Sequence, residues 1–296
     1  MRNWRAHDHS KPDADKPLSR LEALVELSID IRSLAEFRAA LDNHHDLLAA
    51  DAVNRLGARI LATGCREPLT DRRILPFELE PGSGWREGLA SGGLSSRVRG
   101  VMRCMEKVIV DQALTSPRIY AAEGLTAFAL TMRGLYPRFL GSEFTTSPER
   151  MQWMYPIPCE DLQALSMPDD SFDLVSTNEV LEHVPDIDKA LKEMHRVLKS
   201  GGWHFGTVPF LFFEETGQVR ATLDAQGGLI HHMEPQYHGD PMNEGGVLVF
   251  ELPGWDLITR ARAAGFRDAF MRCMISAEHG VLSEHIGGVL IFCCQK

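Results

Sequence analysis

From Arg118 onward, short apolar runs alternate with amphipathic stretches, and this alternation restricts the fold more than any other feature of the chain. RIYAAE (118–123), RFLGSEF (138–144), FDLVSTN (172–178) and WHFGTVPF (203–210) read as strands. Residues 126–134, 186–199 and 254–266 read as helices, and 267–275 and 288–293 as two further strands. Strand, helix, strand in succession over about 180 residues predicts a doubly wound, mostly parallel α/β sheet with crossover helices.

The segment before it has another character. Residues 1–18 carry charge, Pro and Ser without periodicity and predict a frayed arm. Over 19–64 the pattern is helical. Leu21, Leu24, Val25 and Leu27 or Ser28 share one stripe, and Ser33 is placed to cap a second helix through Leu34, Phe37 and Leu41. A third helix is expected through Leu47, Leu48, Val53, Leu56 and Ile60, stopping at Gly64. Residues 65–97 are rich in Pro and Gly and read as a connector with a short strand at 74–79; helix resumes at 97–114. The expected division is a helical module with its connector at 19–97 and an α/β domain at 98–296.

Composition narrows the partners. Thirty-one Lys and Arg against 41 Asp and Glu leave a net charge of −10, which argues against a nucleic acid or an anionic membrane as the main partner. No apolar run approaches the roughly 18 residues of a membrane span. The polar start has no apolar signal region, so a cytoplasmic location is expected. The six cysteines (65, 104, 159, 273, 293 and 294) form no CxxC pair, and no metal or disulfide framework is expected from them.

In a doubly wound sheet the ligand lies beyond the carboxyl ends of the strands. Glu123 and Gly124 end the first strand, and Glu143 ends the second, twenty residues later, where a carboxylate can accept from both hydroxyls of a ribose. Asp161, in Glu160-Asp161-Leu162, can accept from an exocyclic amine such as that of adenine. Asn178 ends the next strand and leads into the VLEHV turn.

The run CEDLQALSMPDDSFDLVSTNEVLEHVPDIDKALKEMHRVLKSGGWHFGTVPF (159–210) resembles the central part of class I S-adenosylmethionine-dependent methyltransferases. The acidic-Leu pair, the PDDSFDLV strand, the VLEHV turn and the RVLKSGG segment stand in that family's order. The resemblance spans roughly 118–294 and implies a Rossmann-like, seven-stranded sheet whose last two strands are reversed into an antiparallel edge. It also implies S-adenosylmethionine as cofactor, held by Glu123, Gly124, Thr126, Glu143, Asp161, Leu162 and Asn178. One departure is plain: the first loop of the family reads acid-x-Gly-x-Gly, whereas this chain has Glu123-Gly124-Leu125-Thr126-Ala127. The Thr126 hydroxyl or the amides of the following helix can stand in for the missing glycine. A bacterial subgroup of the family shares this variant loop and carries a cysteine zinc module ahead of it. Here Ala90 and Gly93 occupy the matching cysteine positions, so no zinc is expected there.

Residues 210–250 form an insertion far longer than a usual connection, which marks a lid or a binding loop. Its HHMEPQYHGDPMNEGG run (231–246) concentrates histidines and acids. His238, with His232 and Asp240, can act as a base on an acceptor hydroxyl; alternatively His231, His232, His238 and Asp240 can bind a divalent ion, or His-Gly-Asp-Pro is simply a turn. The expectation carried forward is catalysis, with His238 as base, a lesser part for His183 at the cofactor rim, and no metal. The reading is methyl transfer to a small polar acceptor, O-methylation of a sugar-like or natural-product hydroxyl. Its rival is a non-catalytic assembly protein that keeps the sheet and has lost the cofactor. The 19–64 helices are expected either to cap the pocket or to form a homodimer contact.

Overall fold

The computed structural model of the chain describes residues 25–46, 49–240 and 243–296, with 240, 243 and 244 described by their backbone alone. The expected arm and Leu21, Leu24, Leu47 and Leu48 lie outside this set. The N-terminal part comprises β1 (Glu26–Ile31), α1 (Leu34–Asn43), α2 (Ala50–Thr63), the short pair β2 (Cys65–Arg66) and β3 (Arg73–Ile74), and α3 (Ser96–Asp111). Next come β4 (Ile119–Ala121), α4 (Ala127–Leu135), β5 (Phe139–Gly141), α5 (Pro148–Met154), β6 (Phe172–Asn178), α6 (Ile187–Val197) and β7 (Leu198–Thr207). The insertion holds β8 (Gln218–Val219), β9 (Ala221–Leu223), β10 (Leu229–His231), β11 (Tyr237–Asp240), β12 (Asn243–Leu248) and β13 (Glu251–Leu252). The chain closes with α7 (Asp256–Ala263), β14 (Asp268–Ser276) and β15 (Val289–Gln295).

Seven strands form the central sheet, in the order β1-β14-β15-β7-β6-β4-β5. β5, β4, β6 and β7 pair in parallel, whereas β15 is antiparallel to both β7 and β14, and β1 is antiparallel to β14. Five strands therefore run one way and two, β15 and β1, the other. The expected antiparallel edge is thus corrected in detail: β14 runs with the parallel set, and the outermost strand comes from the N-terminal part.

Over 26–31 that strand stands where the first helix is expected. Leu27, Ile29 and Ile31 alternate with Ser28 and Asp30, a period of two, and β1 lies in register from Glu26 opposite Ser276 to Ile31 opposite Met271. Asp30 accepts two hydrogen bonds from Arg272 directly across the pair, at 2.6 and 2.8 Å.

Local chemistry explains the other elements. Ile119, Tyr120 and Ala121 are all buried, as a central parallel strand covered on both faces requires. α6 starts at Asp186, whose side chain accepts from the Lys189 amide, and it buries Ile187, Ala190, Leu191, Met194 and Val197 along one stripe. One face of the sheet packs on α1, α6 and α7, through Phe37, Leu191, Met194, Trp255 and Leu257; the other packs on α3 and α4, through Met102, Met105, Phe128 and Met132. α2 packs with Ile74, Leu89, Ile275 and Leu282 in a third cluster. The N-terminal helices are thus built onto the sheet, α1 into its principal core. The insertion folds as three short antiparallel pairs, β8 with β13, β9 with β10 and β11 with β12.

Candidate functional site

The parallel strands deliver their carboxyl ends to one rim, and the expected acidic residues meet there. Glu123, just past β4, is buried; its carboxylate accepts from the Thr126 hydroxyl at 2.5 Å and from the Asn178 side-chain amide. Burial pushes the Glu123 carboxyl above its ordinary range, against the opposing pull of Thr126, Asn178 and Arg97. The Thr126 oxygen also caps α4 by accepting from the Ala129 amide at 3.1 Å. Its proton therefore serves Glu123, so the expected stand-in for the missing glycine falls to backbone amides.

The loop amides just ahead of that helix have a partner of their own. Oε1 of Glu143 accepts from the Gly124 and Leu125 amides at 2.8 and 3.0 Å. The loop is hemmed in, so that a Cβ at Gly124 would meet the Ile157 side chain, beyond α5, at 2.7 Å and the Gly141 carbonyl at the end of β5 at 3.4 Å. A bridge between Glu143 and Cys159 brings 159–162 to the same rim. Asp161 there accepts from the Gln163 amide at 2.9 Å, and Leu162 is buried in the core. Oδ1 of Asn178 is buried and has no hydrogen-bond partner. It is an acceptor without a donor, next to the Glu123 carboxylate.

Two arginines that the sequence reading passed over complete the rim. Both come from the stretch matched to the cysteine module. Arg86 donates to Glu179 at 2.7 Å, while Arg97 donates to Glu87 at 2.9 Å and to the Thr207 hydroxyl at 2.8 Å. Burial alone would raise the Glu179 carboxyl, but Arg97 and Arg86 outweigh it and hold the group below its ordinary range. Glu179 sits at φ 55°, a left-handed conformation that a non-glycine residue adopts at a cost. Beside it opens a cleft of about 290 Å³, lined by Arg86, Glu179, Phe210, Phe212, His285 and Ile286 among others. Phe210 also packs edge-on against Trp255, and Phe212 against Phe37, so each both walls the cleft and supports the core. The available signal was a pair of charged side chains inside a glycine-rich connector, which alone does not say what they reach.

The histidines separate. His183, in the 3₁₀ turn after β6, and His238, on β11, converge on Glu182. Nε2 of His183 stands 3.6 Å and Nδ1 of His238 3.5 Å from Glu182 Oε1, and the two rings meet edge to face at 5.3 Å. The other nitrogen of His183 lies 2.8 Å from the Leu248 carbonyl, and that of His238 lies 3.1 Å from Gln236 Nε2. Nε2 of His238 thus faces the Gln236 amide, and Nδ1 faces Glu182. His232 is exposed, lies outside this group and is bonded to Thr222 at 2.9 Å. The side chain of Asp240 lies outside the described residues. Against the expectation of no metal, Glu182, His183 and His238 form a donor set that can hold an ion.

An open α/β sheet with acidic side chains gathered at its carboxyl-end rim defines a nucleotide-type ligand-binding fold. More particularly, residues 142–206 match the methyltransferase-domain family, within the region where the sequence resembles class I enzymes. Demethylmenaquinone methyltransferase of Staphylococcus epidermidis is 44% identical over 63 residues, 21% of this chain and 24% of that one. A ubiquinone/menaquinone biosynthesis C-methyltransferase of Xanthomonas oryzae is 58% identical over 40 residues, 14% of this chain and 16% of its own length. The chain thus spans at most 24% of these relatives' lengths. A Mesorhizobium loti S-adenosylmethionine-dependent methyltransferase structure superposes with a TM-score of 0.44 at 16% identity, covering 68% of this chain and 98% of that one. Among the described residues no helix is long and apolar enough to cross a membrane.

Proposed function

We propose that the protein transfers a methyl group from S-adenosylmethionine to a hydroxyl on a small molecule. The observation that carries this reading is the strand-end set of Glu123, Asn178, Glu143 and Asp161 inside a chain with a methyltransferase domain. The residues fit the cofactor: the unpartnered Oδ1 of Asn178, beside the Glu123 carboxylate, suits the cofactor's ammonium. Glu143 is at hand for ribose hydroxyls, and Asp161 with Leu162 for an adenine edge. Binding has to compete with the hydrogen bonds that Glu143 makes to the Gly124 and Leu125 amides.

The acceptor enters the neighbouring cleft, its apolar body on Phe210, Phe212 and Ile286 and its polar end toward Arg86 and Glu179. In-line attack by the acceptor oxygen forms the new C–O bond while the C–S bond breaks and its electron pair stays on sulfur. The acceptor proton passes to water, and the chain's main contribution is positioning. The named relatives methylate quinone precursors, but the matched family segment ends at residue 206, before the 210–250 insertion that borders the acceptor, so their acceptor is not carried over.

Calorimetric titration of cofactor-stripped protein with S-adenosylmethionine and S-adenosylhomocysteine tests the reading. Micromolar binding is expected, and Glu143→Ala should weaken it by about 2 kcal/mol, the loss of a charged hydrogen-bonding group. No detectable binding by the folded wild-type protein would overturn the proposal in favour of a non-catalytic role.

A further inference from the structure

We propose that Glu182, His183 and His238 bind one divalent first-row transition-metal ion between the turn after β6 and the β11–β12 pair. Their donor atoms lie within 4.8 Å of one another. Glu182 carries the argument. Its side chain is fully buried, and neither carboxylate oxygen has a hydrogen-bond partner. A buried carboxylate is tolerated when it is paired or bound to a cation.

The spacing fits an ion rather than direct bonds. Ligands 2.0–2.2 Å from a tetrahedral ion stand roughly 3.3–3.6 Å from one another. The two imidazole nitrogens stand 3.5 and 3.6 Å from Glu182 Oε1, long for charge-assisted hydrogen bonds. The tautomer of His183 points the same way. Its Nδ1 faces the Leu248 carbonyl at 2.8 Å, and a carbonyl only accepts, so Nδ1 carries the proton. In the neutral ring Nε2 then directs a lone pair at the Glu182 carboxylate, an arrangement that repels unless a cation lies between. A metal-bound histidine whose second nitrogen donates to a carbonyl is the ordinary outer-shell pattern. For His238, turning the Gln236 amide end for end sets its oxygen against Nε2–H and leaves Nδ1 as the ligand.

Two imidazoles and one carboxylate suit zinc and its first-row neighbours, and they leave a fourth position open. A hydroxyl or water bound there is acidified, which is the task the sequence reading gave to His238 as a base. The ion also pins the insertion to the rim, reinforcing the bond from the Phe250 amide to the Glu182 carbonyl at 2.7 Å. The assignment rests on these side chains and not on the methyl-transfer reading.

The test is metal binding by the full chain, freed of any affinity tag and stripped with chelator. Titration with Co²⁺, followed by its visible absorption, should saturate at one ion per chain, and Zn²⁺ should displace it. Glu182→Gln and His238→Ala, each verified as folded by circular dichroism, should weaken uptake by about 100-fold or more, at or beyond the upper end of outer-shell effects. His232→Ala, outside the group, should leave uptake unchanged. His183→Gln replaces either variant that does not fold. Lack of stoichiometric uptake by the wild-type chain, or uptake that survives the ligand substitutions, would sink the proposal whether or not the protein binds S-adenosylmethionine.

Discussion

His204 is fully buried on β7, with Nε2 2.9 Å from the Thr177 hydroxyl and Nδ1 without a partner. Burial holds its pKa down to about 3, against 6.5 ordinarily, so the unfolded chain takes up a proton that the folded chain refuses. Stability from this residue is therefore complete above the unfolded value and is lost as pH falls from about 6.5 toward 3, by at most about 1.4 kcal/mol per pH unit. Urea midpoints should drop between pH 7 and 5, and His204→Gln should flatten that slope; an unchanged slope would move the effect to other groups. Arg99 is the second revealing residue. Fully buried, it donates to the carbonyls of Leu94, His279 and Gly280 at 2.7, 2.7 and 2.9 Å. Arg99→Met strands three buried acceptors and should cost about 3 kcal/mol or more in equilibrium unfolding. Neither role was legible in sequence, because a buried His or Arg is defined by partners that the local pattern does not contain. Glu123 and Asn178 were legible, because strand ends can be read from apolar runs.

At the scale of elements, β1 shows where local pattern misleads. Leu24, Val25 and Leu27 fit a helical stripe, while Leu27, Ile29 and Ile31 fit a strand equally well. Pairing with β14 decided between them, since β1 covers an otherwise open edge and sets Asp30 opposite Arg272. Removing residues 1–32 should leave β14 with an unpaired backbone edge beside Met271, Cys273 and Ile275, and the shortened chain should elute as aggregate in size-exclusion chromatography. A well-behaved monomer would show that the edge is dispensable. Asp30→Asn is a milder probe; the pair is part-exposed, and a loss of about 1 kcal/mol or less is expected. By contrast, β6 was read from its sequence to the residue, because Phe172, Leu174 and Val175 make a short β-prone stretch between the Asp169-Asp170-Ser171 turn and Asn178.

At the scale of the whole molecule, the insertion, the connector arginines and the strand ends converge from distant parts of the chain on one rim. A ligand bound there stabilises only the folded state. At a concentration 100 times its dissociation constant, S-adenosylhomocysteine should add about 2.7 kcal/mol and raise the melting temperature by several degrees in calorimetry. No shift at saturation would contradict the cofactor reading.

The sequence by itself determined the strand–helix alternation, the acidic ends of the parallel strands and the segment that matches the methyltransferase domain. These follow from short-range periodicity and from where each apolar run stops. Only the tertiary structure decided that β1 closes the sheet, that Arg86 and Arg97 hold Glu179, and that Glu182 lies buried between two histidines. Glu182 and His238 are 56 residues apart in the chain, and Arg86 and Glu179 are 93 apart. Contacts of that range depend on how the packed layers bring loops together, and no local spacing encodes them.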